Sequence, residues 1–193
     1  VRPSVGRDRT TPPARLVLPA SPGIDAGAPA RDLSLNEADS ATVRVHSEEG
    51  VVLDCDPEAE PFGPVMATLG TIDGDGRPVP LKWMDEITET PAVGATETWA
   101  FHNFTADAHP IHIHQVQFQV VDRQPLETVD GISVSPAALD GDPRPPEPWE
   151  TGFKDTVVAY PGEVTRVQAR FDLAGLYVWH CHIVEHEDNE MMR

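Results

Sequence analysis

The stretch HPIHIHQVQFQVV, residues 109–121, decides how the rest of the chain is read. Its second half alternates Gln with Val116, Phe118 and Val120, the period of a strand with one face in a core. Its first half carries His109, His112 and His114, so the strand reading governs where these rings point. Successive side chains of a strand face opposite sides of the sheet. His112 and His114 therefore share a face, and His109, three residues before His112, faces the other way. A second stretch, HCHIVEH at 180–186, divides in the same manner, with His180 and His182 on one side and Cys181 on the other. Six of the eight histidines lie in these two stretches. Laid side by side, the segments make two groups. His109 and Cys181 converge on one, and His112, His114, His180 and His182 on the other.

Outward from these stretches the pattern stays that of strands. RVQARF (166–171) alternates through Val167, Ala169 and Phe171, and ATVRV, GVVLD, ETWAF, DTVVAY and LYVWH are further short β-type runs. DGDG (73–76) and YPGE (160–163) are turn signals, and SPAALDGDPRPPEP (135–148) reads as one long surface loop. No calcium-loop Glu follows DGDG at the required spacing. No window has a helical stripe, and many short strands with frequent turns predict an all-β sandwich or small barrel. Residues 1–30, with six prolines, read as a linker or arm, and 31–193 as one domain.

Composition narrows the function. The chain of 193 residues is 39% hydrophobic, enough for a real core, and carries 32 acidic against 14 basic side chains for a net charge of −18. Such a surface repels phosphate backbones and anionic lipid, which sets aside nucleic acid and membrane surfaces. No apolar run approaches the ~20 residues of a membrane-spanning helix, and the first residues lack an apolar signal core. Two cysteines make no disulfide framework. With Cys181 engaged on a metal, Cys55 is expected as a buried free thiol. His46 and His102 stand alone and are expected in ordinary surface or core roles.

The first histidine group needs more ligands. His186 lies five residues after Cys181, and Met191 five after His186, so a loop folding back beneath the strand end brings both to the sulfur. Two His, one thiolate and a weak Met make the trigonal set of a blue-copper centre, with Met192 as an alternative axial ligand. The second group has four imidazoles and no thiolate. His180 and His182 are covalent neighbours of Cys181, so an electron reaching the sulfur passes through the cysteine backbone to either ring. The pair of sites reads as a redox relay. A structural zinc site fits poorly, because three adjacent ligands in HCH cannot all reach one tetrahedral ion. A cupin requires a Glu shortly after HIH, where Gln115, Val116, Gln117 and Phe118 stand. An electron-transfer blue-copper protein without oxygen chemistry explains His109, Cys181, His186 and Met191. It leaves His112, His114, His180 and His182 without a role.

At these residues the chain resembles the C-terminal cupredoxin domain of the multicopper oxidases, over about residue 31 to the end. WMDEITETPAVGATETWAFHN (83–103) looks like the family's lead-in to the first motif, and GFKDTVVAYPGEVTRVQARF (152–171) like its lead-in to the second. HCHIVEHEDNEMMR (180–193) is especially similar to bacterial spore-coat laccases and bilirubin oxidases. The resemblance implies a cupredoxin-like Greek-key barrel or sandwich. It implies a type 1 copper on His109, Cys181, His186 and Met191, a type 2 copper on His112, and a type 3 pair on His114, His180 and His182. It implies four one-electron oxidations of a phenol or aromatic amine coupled to reduction of O2, the co-substrate, to water. It also implies that Glu187 approaches the oxygen site. A carboxylate there can carry the protons that the reaction consumes or, alternatively, orient a histidine ligand.

The departure is one of extent. Such proteins usually have three cupredoxin domains, and four further histidines come from an N-terminal domain. Nothing in residues 1–108 supplies a second pair of His-x-His motifs. The expectation is that the N-terminal cupredoxin domains of the same protein, or a neighbouring subunit, complete the cluster. The proline-rich arm fits the tail of a preceding domain. Placement is expected to be extracellular, in the cell envelope or in a spore coat, with the cytoplasm left open.

Overall fold

The computed structural model describes residues 11–12, 15, 23–48 and 51–193. Most of the proline-rich arm therefore lies outside the described residues. Its last part does not. The backbone N–H of Asp25 donates to Gln168 Oε1 at 2.8 Å, so the chain is already docked on a sheet before the first strand begins.

Among the described residues fourteen strands follow in order: β1 (Ala30–Ala38), β2 (Arg44–Glu48), β3 (Val51–Cys55), β4 (Glu60–Pro61), β5 (Met66–Ile72), β6 (Pro78–Leu81), β7 (Thr96–Asn103), β8 (His109–Ile113), β9 (Phe118–Pro125), β10 (Thr128–Val129), β11 (Ile132–Ser133), β12 (Thr156–Ala159), β13 (Glu163–Arg170) and β14 (Trp179–Cys181). One helical turn, α1 (Val184–Glu187), comes after them. A six-stranded sheet runs β6-β5-β1-β7-β13-β9, and a three-stranded sheet runs β12-β8-β14. Both contribute to one core, with Leu33, Leu35, Leu69, Phe101, Phe118 and Val167 from the larger sheet and Ile111, Val157 and Trp179 from the smaller. Each such side chain contributes about 1.5–3 kcal/mol by leaving water. Trp99 and Trp179 meet edge to face at 5.6 Å between ring centroids, and Trp179 directly precedes the HCH motif in the chain. Among the described residues no helix is long and apolar enough to cross a membrane.

The strand readings hold with shifted edges. Residues 115–117 are not strand: the chain turns there with Gln115 at φ 65°, and β9 starts at Phe118. The turn carries the chain from the three-stranded sheet to the six-stranded one, so alternation across it continues a pattern but not a strand. LYVWH is likewise strand only at Trp179 and His180; Leu176 is exposed. β1 and β5 bury both faces of their centres, polar Ser34 and Asn36 included, although Leu33 and Leu35 alternate with these polar residues in the sequence. DGDG makes the β5–β6 hairpin turn, with Gly76 at φ 80° and the Gly76 N–H donating to Asp73 O at 3.0 Å. The proline-rich 135–148 loop is tied to β9 by backbone bonds that Arg123 and Arg144 exchange at 3.0 and 2.7 Å, and the buried Arg123 side chain is held by Glu150 and by Glu163.

Cys55 corrects an expectation. It is exposed, not buried. The sheet β3-β2-β4 is separate from the two sheets of the core, and every residue of β3 is exposed, so the burial habit of cysteine has no interior to act on. His46 lies on the same small sheet, 2.9 Å from Asp54, and His102 lies on β7, 3.0 Å from Asp32. Neither joins a histidine group.

Candidate metal centre

β8 and β14 lie antiparallel side by side, with His180 opposite His112 and Cys181 opposite Ile111. Opposite residues in a ladder share a face. His109, Ile111 and Cys181 therefore turn into the core, where all three are fully buried. His112 and His180 turn the other way. His182 extends the same face, its N–H donating to Pro110 O at 2.7 Å. α1 then carries His186 back toward the sulfur, a turn held by the His186 N–H donating to Ile183 O at 2.9 Å.

The core-side group is compact. Cys181 Sγ lies 3.7 Å from His109 Nδ1 and 4.0 Å from His186 Nδ1, and the two nitrogens are 3.3 Å apart. A trigonal ion with first-row bonds of about 2.0 Å to N and 2.3 Å to S would separate its ligands by about 3.5 Å (N to N) and about 3.7 Å (N to S). The donor set thus has the size and chemistry for one such ion. Its hydrogen bonds also select the nitrogen. Thr105 Oγ1 is 2.7 Å from His109 Nε2 and donates to Asn103 Oδ1 at 2.9 Å, so Nε2 carries the proton and Nδ1 keeps its lone pair for the site. Burial holds His109 neutral, with its pKa lowered to about 4, the His186 ring adding to the effect. Burial pushes the Cys181 thiol up to about 11. A bound dication reverses that order and takes the thiolate.

Register chooses between the two methionines. Residues 191–193 run antiparallel to β14. Cys181 N–H donates to Met191 O at 3.1 Å, Trp179 and Arg193 exchange N–H···O bonds at 2.8 and 3.0 Å, and Met192 bridges His180. Met191 is thus opposite Cys181 on the core face, fully buried, and Met192 is opposite His180 on the other face.

The outer group is looser and more open. His114 Nε2 and His180 Nε2 are 3.2 Å apart, and ring nitrogens of His112, His114 and His180 all lie within 4.8 Å of one another. His112 Nδ1 donates to Asp155 O at 2.8 Å and His180 Nδ1 to Cys181 O at 2.9 Å, so in both rings Nε2 is the nitrogen left to ligate. His182 stays outside this tight group; its ring centroid is 5.2 Å from that of His180. Glu187 Oε2 lies 3.3 Å from His180 Nδ1 and 3.7 Å from His182 Nδ1. For His180 the carboxylate is thus on the far side of the ring from the nitrogen that converges.

Three residues near the core-side group were invisible to motif reading. Thr105 and Asn103 sit in NFT, whose only sequence signal is nearness to His109. Glu37, from the end of β1, places an oxygen 3.8 Å from His109 Nε2. One oxygen of Glu37 and one of Asp107 also come within 4.8 Å of a His186 nitrogen. Burial, then the charges of Asp107 and Asp39, raise the Glu37 pKa to about 7.

Beside the outer group lies an open cavity of about 650 Å³, with His114 in its lining. Trp83, Met84, Leu176 and Tyr177 contribute exposed apolar surface to it.

A cysteine with two imidazoles, backed by a histidine cluster, is a donor set that suits copper, and the sequence comparisons point to the same class. The profile of the multicopper oxidases matches residues 58–193, and the chain belongs to that family. It is 49% identical over 133 residues to the laccase of Bacillus subtilis (strain 168), covering 66% of this chain and 26% of that protein. It is 44% identical over 103 residues to the laccase of Haloferax volcanii, covering 53% and 15%. The solved multi-copper oxidase of Pediococcus acidilactici superposes with a TM-score of 0.55 at 25% identity, over 97% of this chain and 30% of that one. The fold is the cupredoxin fold of that family. The chain spans only 15–26% of these two laccases.

Proposed function

We propose that this chain is the part of a laccase-like copper oxidase that accepts electrons from a donor and contributes half of an oxygen-reducing histidine cluster. The observation that supports this most is the sharing of Cys181 between the two groups. Its sulfur faces His109 and His186, while its peptide neighbours His180 and His182 face His112 and His114. Copper would supply one-electron redox chemistry at both places. His109, Cys181, His186 and Met191 would hold the electron-accepting type 1 ion. His112 would serve a type 2 ion, and His114, His180 and His182 a type 3 pair. The donor is a phenol or aromatic amine, and O2 is the terminal acceptor, reduced to water.

Four outward histidines are too few for three ions. The open cavity beside His114, with its exposed Trp83 and Leu176, is where further histidines would arrive. We assign that place to an N-terminal cupredoxin domain of the same protein or to a neighbouring subunit. Glu187 would carry protons toward the cluster or, alternatively, orient His180 and His182 through Nδ1. An extracytoplasmic or spore-coat location would suit this chemistry.

The test is optical. Protein reconstituted with Cu(II) is expected to show an intense blue band and a narrow copper hyperfine splitting, and Cys181→Ser to lose both. A colourless protein that binds zinc tightly instead would overturn the assignment.

A further inference from the structure

We infer that Arg193 is a positioning residue for the axial thioether: its guanidinium holds residues 191–193 in the register that sets Met191, and not Met192, against Cys181. The inference rests on the copper assignment of the core-side group.

An axial thioether binds copper weakly, so the ion cannot pull it into place and the protein must set its distance. Residues 191–193 form the segment that carries it. Three backbone bonds, between Cys181 N and Met191 O and in both directions between Trp179 and Arg193, hold it to β14. A slip of one residue in an antiparallel ladder turns every side chain to the opposite face. Here the slip has a specific result, because two methionines are adjacent: Met191 would leave the core face and Met192 would take its place.

The Arg193 side chain opposes that slip. It is 3% exposed and crosses to the segment 82–89, a contact that spans more than 100 residues of chain. One terminal nitrogen donates to Lys82 O at 3.2 Å. The other donates to Glu86 O at 2.7 Å and Thr88 Oγ1 at 3.3 Å, and Nε faces Glu89 Oε2 at 3.4 Å. Two backbone carbonyls are among these acceptors, so the position of the fork is defined by main chain as well as by side chains. Glu190 adds a second tie, accepting from the Trp83 N–H at 2.8 Å. A lysine places one point charge where the fork makes several directed bonds, so the exchange is not conservative at such a site.

The experiment compares the full-length copper-loaded protein with Arg193→Ala, Arg193→Lys, Met191→Leu and the double variant Met191→Leu/Arg193→Ala. A weaker axial donor stabilises Cu(II) less, so the potential of the blue site is expected to rise in Arg193→Ala. The rise should be smaller than in Met191→Leu, and Arg193→Lys should lie between wild type and Arg193→Ala. The double variant is expected at the potential of Met191→Leu, because Arg193 acts only through that sulfur. An unchanged potential in Arg193→Ala, or shifts that add in the double variant, would overturn the inference. A copper-independent arm separates it from the copper assignment: amide exchange across 179–193 in the metal-free protein should accelerate in Arg193→Ala. Faster exchange in a protein that never turns blue would keep the anchor and remove the metal. Unchanged exchange would remove the anchor.

Discussion

Thr105→Val removes one hydroxyl from a buried site and should weaken copper binding on the core side by about 10- to 100-fold. The magnitude follows from where the proton of His109 must sit. With copper on Nδ1, the imidazole proton is on Nε2, whose partner is Thr105 Oγ1 at 2.7 Å. In the variant that N–H is buried without an acceptor, at a cost of about 1–3 kcal/mol. The metal-free variant escapes most of this cost. Its His109 can place the proton on Nδ1 instead, against His186 Nδ1 at 3.3 Å. The Asp107 N–H also loses Thr105 Oγ1, at 3.1 Å, but it does so with and without copper and cancels from the affinity. The penalty therefore falls on the copper-bound state alone. At a factor of ten per 1.4 kcal/mol it is about 5- to 150-fold, which brackets the 10- to 100-fold typical of removing a metal ligand's outer partner. Competition against a chelator, read by the blue band, measures it. Thr105→Ser, which keeps the hydroxyl, should stay near wild type. If Thr105→Val binds copper within about twofold of wild type, the tautomer does not depend on Thr105 and the reasoning fails.

Two further predictions concern protons. In the metal-free protein the Cys181 pKa is about 11 and the His109 pKa about 4. Between those values Cys181 is a neutral thiol and His109 a neutral ring. Copper binding then displaces one proton from Cys181 and none from His109, so affinity should rise with pH, about tenfold per unit from these two groups between about pH 7 and pH 9. Chelator competition across that range checks it, and a flat profile would refute it. Glu187→Gln keeps a polar group beside His180 and His182 but cannot carry a proton. If proton carriage dominates, the full-length enzyme should lose turnover by about 10²–10⁴-fold with full copper loading and normal anaerobic bleaching. Lost copper with slow bleaching would show that the carboxylate mainly orients the rings.

Alternation was enough to separate the candidate ligands into two groups, because the direction of a strand side chain is a local property of the backbone. The pairing of β8 with β14 obeys it, with His180 facing His112 and Cys181 facing Ile111. Alternation also placed most strands, and it failed where its premise failed. β1 alternates in sequence, Leu33 and Leu35 with Ser34 and Asn36, yet both faces of its centre are buried, so there the polar positions do not mark a solvent face. The turn at Gln115 joins two sheets, so a pattern that looks continuous belongs to two elements. Cys55 was misplaced because burial is decided by what packs over a strand, and nothing among the described residues encloses β3.

The two histidine motifs, the neighbouring cysteine and the split of their side chains were thus determined by the sequence itself, through chemistry and strand parity. The choice of sulfur was not. Met191 and Met192 are adjacent and chemically identical, and spacing favoured Met191 while leaving Met192 as an alternative. The ladder with β14 ranks them, because facing depends on register and register on contacts such as Arg193 with Lys82 and Glu86. The tautomer of His109 was likewise decided only in three dimensions. A ring nitrogen keeps or yields its proton according to the partner it meets, and Thr105 Oγ1 meets Nε2 only once the turn between β7 and β8 has formed.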